Sequence, residues 1–268
     1  MTIRTGVLKH SPLSYALASI RFAPWPLMSK KIDEIQNDLR EIAPLLNRIQ
    51  VEQVGVDGQM TKGVGFSAES WTLLASDKSY GFLLSQDQLL FMTTSYITYD
   101  DFEAKISHAM DVLFKYMVFM DVMTVGVRYV DRITPRDDEK ILQYISSSFL
   151  PPSLDGCETS AGHIFSEYKI KGYNLRVNAV SIPGALPVPQ DMLGVVVMMN
   201  GADKPLQFEG LKQEELLLDM DSIYNPGVPS RMKQTELKDL LRELHSNSNG
   251  FFRREDVLTD FAFQAWRG

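Results

Sequence analysis

Residues 122–133 read VMTVGVRYVDRI, and the fold turns on this stretch. Its β-branched and aromatic residues mark a strand. Arg128 and Arg132 are four residues apart, so on a strand they share a face with Val130 between them. A helix-type segment precedes it over residues 100–117, where Phe102, Ile106, Met110, Leu113 and Met117 make one apolar stripe. Asp100, followed three residues later by Glu103, reads as the start of that helix, with Asp in the usual Ser/Thr place of a capping box.

Working back towards the N-terminus, residues 65–75, 80–84 and 88–96 are short β-type runs. The polar spacers Ser76-Asp77-Lys78 and Ser85-Gln86-Asp87 are hairpin-sized, which predicts three consecutive antiparallel strands. Gly63-Val64-Gly65 reads as a turn ahead of them. Earlier still, Ile32, Ile35, Leu39, Ile42, Leu46 and Ile49 predict a helix over residues 29–49, capped by Ser29 and kinked or divided by Pro44. LSYALASIRF, from Leu13 to Phe22, is one more strand, stopped by Ala23-Pro24-Trp25-Pro26. The result is a β-α-β-β-β-α-β unit which, with a short helix expected over residues 137–149, forms a first domain of residues 1–150.

Turn-rich residues 151–162 read as a linker to a second, β-rich unit of residues 151–268. Strands are expected there over residues 163–170, 173–182, 192–199 and 214–223. Leu237, Leu240, Leu241, Leu244 and His245 then form the stripe of a helix over residues 230–245, ended by Ser246-Asn247-Ser248-Asn249-Gly250. The fold class is therefore α+β: antiparallel sheets covered by amphipathic helices, in two halves of similar element order. The pattern leaves open whether the halves share one sheet.

Several segments together resemble a known family: SIRF (Ser19 to Phe22), Tyr96-Ile97-Thr98-Tyr99, VGVRYVDRI, LLLDMDSIY (Leu216 to Tyr224) and LRELHSNSNGFF. They resemble a sporadically distributed family of uncharacterised prokaryotic proteins of about this length. Its members share an arginine-bearing first strand, an R-Y-x-(N/D)-x-I strand and a D-x-D strand. The resemblance covers nearly the whole chain and carries no activity with it. Its scattered distribution implies an accessory role in a mobile-element, toxin-antitoxin or defence locus.

A hydrophobic fraction of 44% with 23% charged residues in a 268-residue chain excludes a disordered protein. The net charge of -7 disfavours nucleic acid, whose binding needs clustered Lys and Arg. The single cysteine, Cys157, excludes an intrachain disulfide and suits a reducing cytosol. No apolar run reaches the roughly 20 residues of a membrane span, and the N-terminus lacks a secretory pattern. A cytoplasmic protein is expected.

Asp219 and Asp221 project from one face of the LLLDMDSIY strand and could hold Mg²⁺ or Mn²⁺, or simply meet solvent. Arg21, Arg128 and Arg132 could bind a phosphate or carboxylate, although a structural ion-pair network is the commoner arrangement. Trp25, held between two prolines, reads equally as a binding contact or as packing within the chain. His245 is expected at a helix C-terminus, where an imidazolium is favoured. No nucleophile, paired base or zinc motif is present, so no catalytic residue is named.

The expected function is a non-enzymatic protein that binds a protein partner or a small ligand, with a second copy of the chain among its partners and no cofactor. The alternative is a metal-dependent phosphoryl-transfer enzyme or phosphohydrolase. It would hold Mg²⁺ or Mn²⁺ on Asp219 and Asp221 and phosphate on the arginines.

Overall fold

The computed structural model describes residues 4–52, 67–200 and 207–267. The first half runs β1 (Leu13–Phe22), α1 (Met28–Leu39), β2 (Leu45–Glu52), β3 (Ser67–Leu74), β4 (Tyr80–Ser85), β5 (Gln88–Thr93), α2 (Tyr99–Leu113) and β6 (Met120–Ile133). The second half runs β7 (Gly162–Ile170), β8 (Tyr173–Ser181), α3 (Leu193–Asn200), β9 (Leu216–Tyr224), β10 (Ser230–Met232), α4 (Gln234–Phe252) and α5 (Asp260–Arg267). All strand pairs are antiparallel and belong to one sheet, ordered β2-β3-β4-β5-β1-β6-β9-β8-β7, with β10 pairing the start of β6. The fold class is α+β with an antiparallel sheet, and the junction of β6 with β9 joins the strands of both halves.

Register gives each face of β6 its layer. Val127 stands opposite Ala18 and Ser222, and Tyr129 opposite Ala16 and Met220, on the face covered by α1, α2 and α4. Val130 stands opposite Tyr15 and Asp219 and points to the other face. On the helix side Phe82, Phe91 and Phe102 link β4, β5 and α2, with ring centroids 5.1 and 5.0 Å apart. On the other side residues 182–200 and 207–215, which include α3, lay Val188, Met192, Val196, Met199 and Leu211 onto Leu17, Leu74, Leu83, Leu90 and Val130. A fully buried apolar side chain contributes roughly 1.5–3 kcal/mol. Five such side chains therefore hold these residues on the sheet.

Several expectations from the sequence are corrected. The helix expected over residues 29–49 ends at Leu39, and after Pro44 the chain becomes β2, so Leu46 and Ile49 are strand residues and the first half has four consecutive strands before α2. The helix expected over residues 137–149 is instead two 3-10 turns, Ile141–Gln143 and Ser147–Phe149, and Leu142 is exposed. The strand expected over residues 192–199 is a 3-10 turn leading into α3. Its run LGVVVMMN is apolar all round, so no period separates helix from strand. Meanwhile α4 continues through residues 246–250, because Asn247 and Ser248 face the interior and Phe251 and Phe252 are buried. The sequence reading has no counterpart for α5, whose Trp266 stacks on Phe252 with centroids 6.1 Å apart. The Gly63-Val64-Gly65 turn, and with it the first residues of the strand expected from 65, lie outside the described residues.

The start of α2 also differs. Thr98 is the N-cap, and its Oγ1 accepts from the Asp101 backbone N–H at 3.2 Å, while Asp100 lies within the first turn. Thr98→Ala is expected to lower stability by about 0.5–2 kcal/mol through loss of that cap. Asp100→Ala loses only a favourable charge at the positive end of the helix, about 0.3–1 kcal/mol. Urea unfolding midpoints test the ranking, and a larger loss for Asp100→Ala would move the start of the helix.

Candidate functional site

The charged strand residues singled out in the sequence come together in part. Arg128 on β6 donates to both carboxylate oxygens of Asp219 on β9 at 2.7 Å each. Its Nη1 donates to Asp191, in the turn before α3, at 2.6 Å, and Nη2, shared with Asp219, donates to Asp191 at 3.0 Å. Asn178 on β8 adds a third donor to Asp219 at 3.1 Å. Asp221 lies on the same face without a hydrogen bond or ion pair, and burial pushes its carboxyl up to about 6 against the pull of Arg128. Gly126 makes room for it, because a Cβ there would stand 3.4 Å from Asp221 Oδ1 and 3.1 Å from Ser19 Oγ.

Arg132 makes a separate clamp. It donates to Glu215 at 2.6 and 3.2 Å and to the carbonyls of Glu209 and Gly210 at 3.2 Å each. The two β6 arginines thus tie residues 191 and 209–215 to the sheet. Arg21 stands apart and pairs with Asp87 at 3.3 Å. Trp25 is half-buried and stacks on Tyr116 with centroids 6.3 Å apart. Among the described residues, no group of three or more His, Cys, Asp or Glu side chains is arranged to hold a metal ion.

The helix side of β6 carries a different arrangement. A cavity of about 660 Å³ lies between the end of β6, the start of α2, the C-terminal half of α4 and residues 6–13. Tyr96, Tyr99, Tyr129 and Phe252 supply much of its wall, with Asp131, His245, Ser248 and Arg253 as its main polar groups. The alternation of β6 produces this directly. Val125, Val127, Tyr129, Asp131 and Ile133 share the helix-side face, so an acid occupies a position that is otherwise apolar.

Asp131 is 3% exposed and makes no hydrogen bond or ion pair with a described residue. Burial, with the negative charge of Asp219 on the other face of the sheet, pushes its carboxyl up to about 8. At neutral pH it is mostly the uncharged acid. Ser248 Oγ is buried and also lacks a partner.

His245 is a correction to the sequence reading. It lies inside α4 rather than at its end, with its ring stacked on Tyr99 at 3.8 Å and 7°. Burial and the Arg253 guanidinium hold it down at about 4, so the imidazole is neutral. Burial also holds the Tyr129 phenol well above its usual range, so its hydroxyl keeps its proton, and it shares a hydrogen bond with His245 Nδ1 at 2.7 Å. Burial pushes Tyr96 up to about 12. Arg253 is anchored by donating to Asn249 Oδ1 at 2.7 Å and to the Gly6 carbonyl at 2.9 Å.

Sequence reasoning missed Asp131, Tyr129 and Ser248 as site residues. The signal for Asp131 was present, namely a carboxylate in the apolar phase of a strand. Nothing local marked Ser248, which read as part of a helix stop.

The two titrating groups give opposite slopes of stability with pH. Asp131 has a raised pKa, so its contribution is fully present below about pH 4 and is lost as pH rises to about 8. His245 has a lowered pKa, so its contribution is present above about pH 6.5 and is lost as pH falls to about 4. Asp131→Asn is therefore expected to raise stability at pH 8 by an amount on the order of a few kcal/mol, seen as a higher melting temperature, and to change it little at pH 4. Thermal melts across that range test this, and an equal effect at both ends would contradict it.

No family model matches this chain, and no curated protein matches it in sequence, so the chemistry of the cavity is argued from its own residues.

Proposed function

We propose that this protein is a non-enzymatic binding protein that takes a small organic ligand in the cavity between β6 and α4. One observation carries the reading: Asp131, buried and without a hydrogen bond to any described residue, and Ser248 Oγ, buried without a partner among them, both line a cavity of about 660 Å³. Leaving a buried polar group unpaired costs about 1–3 kcal/mol, and a ligand that supplies the missing partner removes that cost. The volume falls within the range of about 300–1,000 Å³ usual for small-molecule sites, and the wall mixes aromatic and aliphatic side chains with polar groups that could orient a ligand. The accessory role implied by the family resemblance is compatible with a ligand sensor.

The second reading is metal-dependent phosphoryl transfer through Asp219 and Asp221, with Arg21, Arg128 and Arg132 on phosphate. In its favour, Asp221 has no partner. Against it, Asp219 already accepts three hydrogen bonds, and Arg21 is engaged elsewhere with Asp87.

A ligand-observed NMR screen of small organic compounds is expected to give binders that Ser248→Leu abolishes, because the leucine grows into the cavity while Arg128 and Asp219 are untouched. The second reading predicts instead that Mg²⁺ or Mn²⁺ with pyrophosphate raises the melting temperature, and that Asp219→Asn with Asp221→Asn removes the shift. Binders that survive Ser248→Leu would refute the cavity.

A further inference from the structure

Asp131 is an acid that the fold leaves without a counter-charge. Its arginine neighbours are committed elsewhere: Arg128 to Asp219 and Asp191, Arg132 to Glu215, and Arg253 to Asn249 and Gly6. Its carboxyl lies at 3% exposure on the wall of a cavity large enough for a whole small molecule. Tyr96 and Tyr129 flank it with their rings at right angles, centroids 5.9 Å apart.

The chemical complement of this arrangement is a cation that can also donate hydrogen bonds. A charge-assisted N–H···O bond to a carboxylate is roughly twice as strong as a neutral one. A cation over a tyrosine face gains a further attraction, which is stronger where water is excluded.

We propose that the cavity binds an organic cation through an ammonium or amidinium head that donates to Asp131 and lies against the rings of Tyr96 and Tyr129. This rests on the ligand-binding reading above and names the ligand's class. Arg253, just beyond α4, lines the same cavity and lowers His245 and Tyr96 electrostatically. The cationic head belongs at the Asp131 end, and a polar or anionic substituent fits the Arg253 end.

Binding is coupled to a proton. The groups facing the cavity are Tyr129 beside Asp131, Tyr96 and Tyr99 at the start of α2, His245 on α4, Arg253 just beyond it, and Lys9 ahead of β1. Asp219 acts from behind the sheet. Between pH 6 and 8 the three tyrosines keep their protons and His245 stays neutral, so Asp131 is the cavity group whose ionisation the cation controls. The empty cavity holds it protonated and the cation holds it ionised, so each binding event below about pH 8 releases one proton to solvent. Affinity then rises about tenfold per pH unit up to that point and levels off above it.

Isothermal titration calorimetry on the full chain at pH 6, 7, 8 and 9 tests this with phenethylammonium, agmatine and the uncharged 2-phenylethanol. The expected result is binding of one or both cations and not the alcohol, strengthening roughly 100-fold from pH 6 to pH 8. At pH 7 the heat should vary with the ionisation enthalpy of the buffer, as release of one proton requires. Asp131→Asn should weaken binding at least about tenfold without lowering the melting temperature. If that variant does not fold, the pH profile and the proton release in the unaltered protein still decide the question.

Equal binding of the alcohol, abolished by Ser248→Leu, would overturn the cation and leave the cavity as a ligand site. Cation binding that neither Asp131→Asn nor Ser248→Leu affects would overturn both. Failure of all three probes across the pH range would overturn the cation, while the NMR screen would still decide the cavity.

Discussion

The structure depends on one strand being covered on both faces over most of its length. β6 pairs with β1 along one edge and with β9 and β10 along the other, and from Val125 to Ile133 its side chains serve either the helix layer or the layer of residues 182–200 and 207–215. That stretch has little solvent face on which to place polar side chains. Each polar residue it carries must be paired across a layer or left facing a cavity. Arg128 and Arg132 take the first course, holding Asp219, Asp191 and Glu215. Asp131 takes the second.

The two outcomes differ in energy and in use. The arginine clamps are charge-assisted and partly buried, and they fasten Asp191 and residues 209–215 to the sheet. Removing either partner would leave a buried charge uncompensated, which usually costs more than the pair contributes. Asp131 avoids that penalty by remaining protonated. A buried acid whose ionisation depends on what shares its cavity is a group whose charge a ligand can set. The same burial keeps His245 neutral, and its hydrogen bond with Tyr129 helps to shape the cavity wall.

The sequence failed where local pattern carried too little information. LGVVVMMN has no polar residue from which a period could be read before its last, so only contact with β3 and β4 makes it a helix. Residues 246–250 have the composition of a stop, yet the neighbouring layer accepts the small polar side chains of Asn247 and Ser248 inside, and the helix runs on. Ile42, Leu46 and Ile49 continue the helical spacing of α1 across Pro44, and pairing of residues 45–52 with β3 outweighs that spacing.

The sequence by itself determined the α+β class, the antiparallel hairpins around 76–78 and 85–87, the helix over residues 100–113 and the face shared by Arg128 and Arg132. All of these follow from strand and helix periods and from short-range turn chemistry. Only the tertiary structure decided that both halves join in one sheet at the β6–β9 pairing, that Arg128 meets Asp219 and Asp191, and that Asp131 ends unpaired beside His245 and Ser248. Those facts depend on residues about 60 to 120 positions apart in the chain. Periodicity fixes which way a side chain points, whereas long-range packing fixes what it meets.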